Sequence, residues 1–254
     1  MTGAARTRAA TSGATAEREA TVEIEGWRLL VVGATGVIGA EVAAAAAARG
    51  AEVAVAGRDP ARLEHVARRV GAERGEVFDA YDLEGCRGLA ARAARRTGGL
   101  DAVLVAFGAV AFGRAGEVPL AVQEHLMAVN ASAPMAVLEG ALDVLAPDGA
   151  VGALTGVVVD RAVPGTAAYR ASKAALAVWL DSLRAEHRRE GLTVLDARLP
   201  HLDTGFARRA LAGTAPPLPP GADLGVWVSA VLDGLLNGGA VLRPDSTGAL
   251  PATR

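Results

Sequence analysis

The sequence predicts a doubly wound α/β domain, in which helices cover both faces of a parallel sheet of about seven strands. Two observations predict this fold class. Short apolar runs alternate with helical segments from Trp27 to Leu242, and no internal repeat or linker interrupts them. The runs are continuously apolar, which is typical of strands buried on both faces. Alternation of this kind indicates right-handed crossovers between parallel strands.

The elements follow from local signals taken in order. Leu29–Val32 is an apolar strand, and the alanine-rich helix after it ends at Arg49 and Gly50, a common C-terminal signature. Asp59 and Pro60 are a good N-cap and first helical residue for the second helix. The remaining strands are predicted at 52–56, 76–78, 101–105, 150–154, 193–198 and 239–242. The helices are predicted at 60–70, 82–97, 120–146, 166–190 and 222–236.

Length, charge and cysteine content narrow the function classes. The chain has 254 residues, enough for one large domain, and a formal net charge of -2. This charge gives no electrostatic reason to expect nucleic acid or an anionic membrane as a partner. The single Cys86 excludes an internal disulfide, so a reducing compartment, the cytoplasm, is expected. The scattered histidines suggest no metal site, and no apolar run reaches the ~18 residues that a membrane span needs.

The composition changes near residue 22. Residues 1–22 are rich in Ala, Thr, Gly and Arg and offer little to bury. They are interpreted as a disordered tail or as the result of a translation start placed too far upstream. Residues 23–254 are predicted to form one dinucleotide-binding oxidoreductase domain.

The turn after the first strand carries the first chemical signal. Gly33, Gly36 and Gly39 follow a strand and open a helix. In a Rossmann-type site such glycines permit a tight turn, close approach of a pyrophosphate and close helix–strand packing. The helix N-terminus then faces the anion. The turn therefore predicts a dinucleotide site, to which its intervening residues also belong: Thr35, Val37 and Ile38.

The end of the second strand indicates which dinucleotide is bound. An acidic residue usually stands here to accept the ribose hydroxyls, but this chain has Gly57 and Arg58. An arginine can grip a 2′-phosphate. NADP is therefore favoured over NAD, unless Asp59 is free to bind the ribose or Arg58 is only a solvated loop residue.

The third signal is the pair Tyr169 and Lys173. On a helix these side chains share one face. A lysine ammonium near a phenol typically lowers its pKa by ~1–3 units from ~10, and an oxidised nicotinamide would lower it further. Such a tyrosine suits proton exchange during carbonyl–alcohol interconversion.

With these residues in view, the chain resembles the short-chain dehydrogenase/reductase family over nearly all of residues 27–243. The matching segments are GATGVIG from Gly33, GRDPARL from Gly57, FDAYD ending at Asp82, Val129-Asn130, PGTAAYRASKAAL from Pro164 and RLPHLDTG from Arg198. The resemblance implies that Tyr169 exchanges the proton and that Lys173 binds the cofactor ribose. It implies a proton-relay water held by Asn130, and cofactor contacts from Asp79, Gly108 and Thr204. It also implies a segment covering the substrate at 202–220 and a homodimer or homotetramer.

The chain also departs from the family pattern. Its glycines are spaced GxxGxxG instead of the usual GxxxGxG, and the family's Asn-Ala-Gly after the fourth strand reads Ala106-Phe107-Gly108. Gly156 stands where the family has its substrate-orienting serine. Thr155 is the predicted substitute, and Gly156→Ser is expected to raise turnover if the backbone tolerates a side chain.

Together the signals predict an NADP(H)-dependent oxidoreductase that acts on a small or medium carbonyl/alcohol pair. Tyr169, Lys173, Asn130 and Thr155 would be its catalytic residues. The alternative is an NADP(H)-binding but catalytically silent sensor or partner subunit.

Overall fold

A seven-stranded sheet in the order β3-β2-β1-β4-β5-β6-β7, with all neighbours parallel, organises the chain. The structure is a computed structural model and describes residues 24–245 and 248–250. The predicted tail at residues 1–22 lies outside the described residues. The predicted doubly wound α/β fold and its strand number are confirmed.

The strands are β1 (Arg28–Val32), β2 (Glu52–Gly57), β3 (Glu76–Val77), β4 (Leu100–Val105), β5 (Leu145–Leu154), β6 (Thr193–Ala197) and β7 (Val241–Leu242). The helices are α1 (Val37–Ala48), α2 (Pro60–Arg69), α3 (Leu83–Arg87), α4 (Leu89–Thr97), α5 (Leu120–Met127), α6 (Ala133–Leu142), α7 (Ala167–Glu186) and α8 (Leu224–Leu236). A π-helical turn at Ala128–Ser132 joins α5 to α6.

The two faces of the sheet bury separate hydrophobic clusters. In β1, Leu29 and Val31 pack on the side of α1, α2 and α8, whereas Leu30 and Val32 pack on the side of α4, α6 and α7. This alternation follows from the strand geometry, because successive side chains point to opposite faces. The continuously apolar strands are therefore explained by burial on both sides.

Three of the predicted helices differ from the structure. The helix predicted at 166–190 ends at Glu186, and a 3₁₀ turn follows at Arg188–Glu190. The helix predicted at 82–97 is two helices, α3 and α4, which meet at Gly88. The helix predicted at 120–146 ends at Leu142, and β5 begins at Leu145 instead of residue 150. The early start of β5 comes from a pairing of Leu145 with Leu100 of β4, followed by a register shift. Such a distant pairing leaves no local trace in the sequence.

A long connection between β6 and α8 covers the carboxyl edge of the sheet. We call residues 199–223 the covering segment; its regular structure is a short 3₁₀ turn at Ala207–Arg209. Two backbone hydrogen bonds attach it to the loop after β4: Leu211 N–H donates to Val110 O at 2.9 Å, and Phe112 N–H donates to Ala212 O at 2.8 Å. The segment is thus tied down over the region where the predicted site residues lie.

Candidate active site

The predicted site residues gather at one edge of the sheet. In a parallel sheet all the carboxyl ends of the strands meet there, and ligands bind where the strand order reverses, here between β1 and β4. The predicted cofactor residues outside α7 follow these strand ends: Gly33, Thr35, Gly36, Val37, Ile38 and Gly39 after β1, Arg58 after β2, Asp79 after β3, Gly108 after β4 and Thr204 after β6.

The glycine turn depends on the absence of side chains. Gly33 has φ +95°, and a Cβ there would lie 2.7 Å from the backbone nitrogen of Phe107. At Gly39 a Cβ would lie 2.4 Å from the carbonyl oxygen of Gly33. Both positions therefore require glycine for the turn to close against the loop after β4 and against α1.

The start of α1 fits a bound diphosphate. Gly36 is exposed at the N-cap, and no side chain caps the helix. The first amide groups of a helix have no intrahelical acceptor, and together with the helix dipole they attract anions. The residues present thus fit a dinucleotide at this turn.

Asp59, the alternative ribose ligand, is held by its own helix. One carboxylate oxygen accepts hydrogen bonds from the amides of Ala61 and Arg62 at 3.0 and 3.1 Å, and the other lies 3.7 Å from the Arg62 guanidinium. Asp59 is therefore the predicted N-cap of α2. Arg58 beside it is exposed at the end of β2.

The structure adds two candidate residues that sequence reasoning missed. A cavity of about 410 Å³ beside the glycine turn is lined by Thr35, Ala61, Arg62, His65 and Val66. Arg62 and His65 reach it because they lie three residues apart on α2, hence on one helix face. The sequence signal that could have identified Arg62 and His65 is their helical spacing after the N-cap Asp59.

The remaining predicted cofactor residues differ in their surroundings. Asp79 is exposed, and its carboxylate accepts a hydrogen bond from the amide of Tyr81 at 2.9 Å. Thr204 is partly exposed in the covering segment, and its amide donates to Leu202 O at 2.7 Å. Gly108 lies against the catalytic candidates, because a Cβ there would be 2.9 Å from Asn130 Oδ1 and 3.1 Å from Lys173 Nζ.

Asn130 lies in the π-helical turn and is fully buried, at 0% exposure. Its side chain bonds both backbone groups of Ala109 at 2.8 Å, and its Nδ2 also donates to Ser172 Oγ at 2.9 Å. Ser172 in turn donates to the carbonyl oxygen of Tyr169. Asn130 therefore joins the loop after β4 to the helix that carries Tyr169. Single π turns within helices are frequent at functional sites.

Tyr169 and Lys173 share the face of α7 that looks into this site. Lys173 is 5% exposed, and its Nζ donates to the carbonyl oxygen of Leu154 at 2.8 Å. The Tyr169 ring lies 6.4 Å from the ring of Phe206 in the covering segment. The structure thus brings Tyr169, Lys173, Asn130 and Gly108 together.

The direction of the Tyr169 pKa shift differs from the prediction. Burial raises the pKa of Tyr169 above its ordinary value, where a lowered pKa was expected from Lys173. The physical reason is that burial removes water from around the phenol, which disfavours the phenolate. Burial also lowers the pKa of Lys173, to about 8, although Asp196 opposes this shift.

Thr155 does not have the free hydroxyl that the prediction requires. It is 2% exposed, and its hydroxyl donates to the buried carboxylate of Asp196. A hydroxyl has a single proton. In this arrangement none is left for a substrate oxygen, so we reassign Thr155 from the catalytic set to the support of β5.

Gly156, which takes the place of the serine, has φ +104°. The space around it is open, since an added Cβ would have Leu199 O as its nearest neighbour, at 3.8 Å. However, L-residues with side chains rarely adopt this backbone conformation. This position therefore lacks the serine, and its backbone conformation is also one that a serine would rarely adopt.

We expect Gly156→Ser to lower stability by about 1–3 kcal/mol without raising turnover, because the strain of this φ falls on any side chain. Gly156→Ala is the matched control, since it adds the same strain without a hydroxyl. Thermal melting and carbonyl-reduction rates of the two variants should agree. A Ser variant that is clearly faster than the Ala variant would contradict this expectation.

Two negative findings bear on the class of site. Within the described residues, no group of three or more His, Cys, Asp or Glu side chains is placed to hold a metal ion. In the same part of the chain, none of the helices combines the length and apolarity needed to cross a membrane.

The sequence is similar to that of a known protein. A curated relative, dehydrogenase/reductase SDR family member 7B of Danio rerio, is 26% identical over 197 residues, which are 73% of this chain and 64% of that protein. The chain thus matches less than two thirds of this relative's length.

Solved structures share the fold. A short-chain dehydrogenase from Burkholderia cenocepacia, solved with NADP, has a TM-score of 0.76 at 24% identity, covering 86% of this chain and 94% of its own. An alcohol dehydrogenase from Thermococcus sibiricus, solved with 5-hydroxy-NADP, has a TM-score of 0.74 at 23% identity, covering 90% and 100%. The family model of the short chain dehydrogenases matches residues 28–214, most of the chain. The protein therefore belongs to the short-chain dehydrogenase family of oxidoreductases.

Proposed function

We propose that the protein is an NADP(H)-dependent oxidoreductase that interconverts a small carbonyl compound and its alcohol. One observation carries the proposal: Tyr169 and Lys173 lie with Asn130 and Gly108 at the sheet edge that also holds the glycine turn. A proton donor and an anion-binding turn at the same edge are what hydride transfer coupled to proton transfer requires.

Each residue of the site has its own role in the proposed reaction. A bound nicotinamide cofactor supplies or accepts the hydride. The Tyr169 phenol is protonated at neutral pH, and burial raises its pKa further, so it can donate its proton to the carbonyl oxygen as negative charge develops there. Lys173 orients the cofactor ribose, and a water held at Asn130 resupplies the proton. The covering segment excludes bulk water from the reacting atoms.

The choice of NADP over NAD rests on the end of β2. Arg58 is exposed there, and the neighbouring Asp59 has one carboxylate oxygen held by the amides of α2 and the other beside the Arg62 guanidinium. Arg62 and His65 line the adjoining cavity, and the Arg62 guanidinium favours an anion there. The Burkholderia cenocepacia and Thermococcus sibiricus proteins, which were solved with NADP and 5-hydroxy-NADP, support the same choice.

Arg58→Ala is expected to weaken NADPH binding by about tenfold or more and to leave NADH binding unchanged, since a charge-assisted hydrogen bond contributes ~1.5–3 kcal/mol. Fluorescence titration with both cofactors measures this. Arg188→Ala is the control, because Arg188 is an exposed arginine that follows the far end of α7. Equal losses for NADPH and NADH would contradict the assignment of Arg58.

The function itself is tested by oxidation of NADPH with a panel of aldehydes and ketones. The competing proposal is a cofactor-binding protein without catalysis. It is favoured by one observation, that Gly156 offers no hydroxyl and Thr155 gives its own to Asp196. Tight NADPH binding with no turnover across the panel would support this alternative and overturn the oxidoreductase proposal.

Three further expectations remain predictions. They are the homodimer or homotetramer implied by the family resemblance, the cytoplasmic location, and the extent of one domain over residues 23–254. The exposed apolar side chains of Met127 on α5 and Val178 on α7 suit an interface between copies through these helices. Light scattering of the purified protein would measure its mass in solution.

A further inference from the structure

A chain of charged side chains runs from the end of β6 to the loop after β5, next to the site. Asp196 is 1% exposed, and both of its carboxylate oxygens are bonded. One oxygen accepts from the hydroxyl of Thr155, and the other accepts from Arg198 Nε at 2.7 Å. Arg198 also donates to Asp160, at the end of the 3₁₀ turn that follows Gly156.

This carboxylate is costly to bury. Taking a charge out of water costs several kcal/mol, and well-packed apolar residues in place of a buried ion pair often give equal or greater stability. Stability alone therefore does not account for a charged Asp196 in the sheet. Its position suggests a reason, because it lies on the strand that pairs with the end of β5.

The end of β5 also anchors Lys173. The ammonium of Lys173 donates to the carbonyl oxygen of Leu154, which directly precedes Thr155. Leu154 pairs with Ala197, the residue after Asp196. Burial disfavours the charged form of Lys173, and Asp196 favours it. The carboxylate thus partly offsets the cost of burying this ammonium.

The charged side chains on the elements that pack against α7 are largely paired. On the sheet side these groups are Asp196 and Arg198 at β6, with Asp160 at the end of the 3₁₀ turn. On the helix side they are Tyr169 and Arg170 of α7, and Glu124 and His125 of α5. Arg170 donates to the carbonyl oxygens of Val158 and Val159, and His125 bonds the hydroxyl of Tyr81. Glu124 is exposed to solvent. Arg198 is shared between two carboxylates, which leaves Asp196 as the anion that acts on Lys173.

We infer that Asp196 is a positioning residue, which keeps Lys173 charged inside the site and fixes the end of β5 through Thr155. The inference rests on the proposed function, because it assigns the charged Lys173 to the binding of the cofactor ribose. It predicts that the negative charge of Asp196, beyond its shape, sets the pH range over which the site binds NADPH.

The test replaces the charge while keeping the shape. In Asp196→Asn the amide can still accept from Arg198 with its oxygen and donate to Thr155 with its nitrogen. Without the carboxylate the ammonium of Lys173 is less stable, so its pKa falls further and it loses its proton at lower pH. The alkaline limbs of NADPH binding and of carbonyl reduction should both move down by about one pH unit, and NADPH affinity at pH 8 should fall about fivefold.

Two further variants make the test specific. Asp160→Asn leaves Arg198 to Asp196 alone, so its alkaline limb should move down, but by less than that of Asp196→Asn. Arg198→Gln removes a competing cation and should move the limb to higher pH. This opposite shift keeps the inference testable if Asp196→Asn fails to fold. An unchanged limb in Asp196→Asn, a shift equal to that of Asp160→Asn, or no upward shift in Arg198→Gln would overturn it.

The readouts separate this inference from the proposed function. NADPH titration by fluorescence reports the protonation state of Lys173 without requiring turnover. Thermal melting of the cofactor-free protein reports the same protonation state without NADPH. Because the pKa of Lys173 is lower in the folded protein, the unfolded chain binds more protons above about pH 8. The contribution of Lys173 to stability therefore rises with pH, and in Asp196→Asn this rise should begin at lower pH. Shifts as predicted with no turnover would overturn the oxidoreductase proposal alone.

Discussion

Tyr169→Phe is expected to reduce turnover by about 10²–10⁴-fold, the usual contribution of general acid–base catalysis. The change removes the hydroxyl that would donate the proton and keeps the ring that packs near Phe206. NADPH binding should remain nearly intact, because the ribose is assigned to Lys173. Steady-state rates with the best carbonyl substrate, together with NADPH titration, measure both effects.

The sequence offers a matched control for this substitution. Tyr81 is the other tyrosine of the chain; it is 63% exposed, and its hydroxyl bonds His125 at 2.6 Å. Tyr81→Phe also removes a hydrogen-bonded hydroxyl, but outside the Tyr169 and Lys173 cluster, and should leave turnover unchanged. If Tyr169→Phe keeps the native rate, another group donates the proton and the proposed role of Tyr169 is wrong.

Gly33→Ala is expected to abolish NADPH binding and to destabilise the fold by more than the ~1–3 kcal/mol that an unfavourable backbone conformation costs. Strain accounts for only part of the effect. The added Cβ would also lie 2.7–2.8 Å from backbone and side-chain atoms of Ala106 and Phe107, which are fixed at the end of β4. Thermal melting and NADPH titration measure the two losses.

Gly26→Ala isolates the strain. Gly26 has φ +73°, and a Cβ there would meet nothing within 4 Å. This variant should lose only the cost of the backbone conformation and should bind NADPH normally. Equal melting temperatures for the two variants would mean that the loop after β4 yields to the added methyl group, contrary to the close packing described above.

Signals that lie close together in the sequence predicted the structure well. Asp59 and Pro60 begin α2 as expected, because N-capping depends on neighbours two and three residues away. The glycine turn and the shared face of Tyr169 and Lys173 also follow from local geometry. For these elements the backbone conformation is determined by interactions between residues that lie within one or two helical turns of each other in the sequence.

The features that the sequence did not predict depend on distant partners. The hydroxyl of Thr155 is directed by Asp196, 41 residues away, and the start of β5 by its pairing with Leu100. The raised pKa of Tyr169 reflects its burial, to which Phe206 of the covering segment contributes. No periodicity or short motif records such contacts, since they exist only after the strands have assembled.

The two hydrogen bonds that attach the covering segment also make its opening observable. The amide protons of Leu211 and Phe112 are donated across the junction between this segment and the loop after β4. They can exchange with deuterated water only when that junction separates, so their exchange rates report the opening equilibrium directly. Peptides that contain Leu211 or Phe112 should therefore take up deuterium together, and more slowly once a ligand holds the segment closed. Access of substrate can in this way be followed by mass spectrometry before any substrate is known.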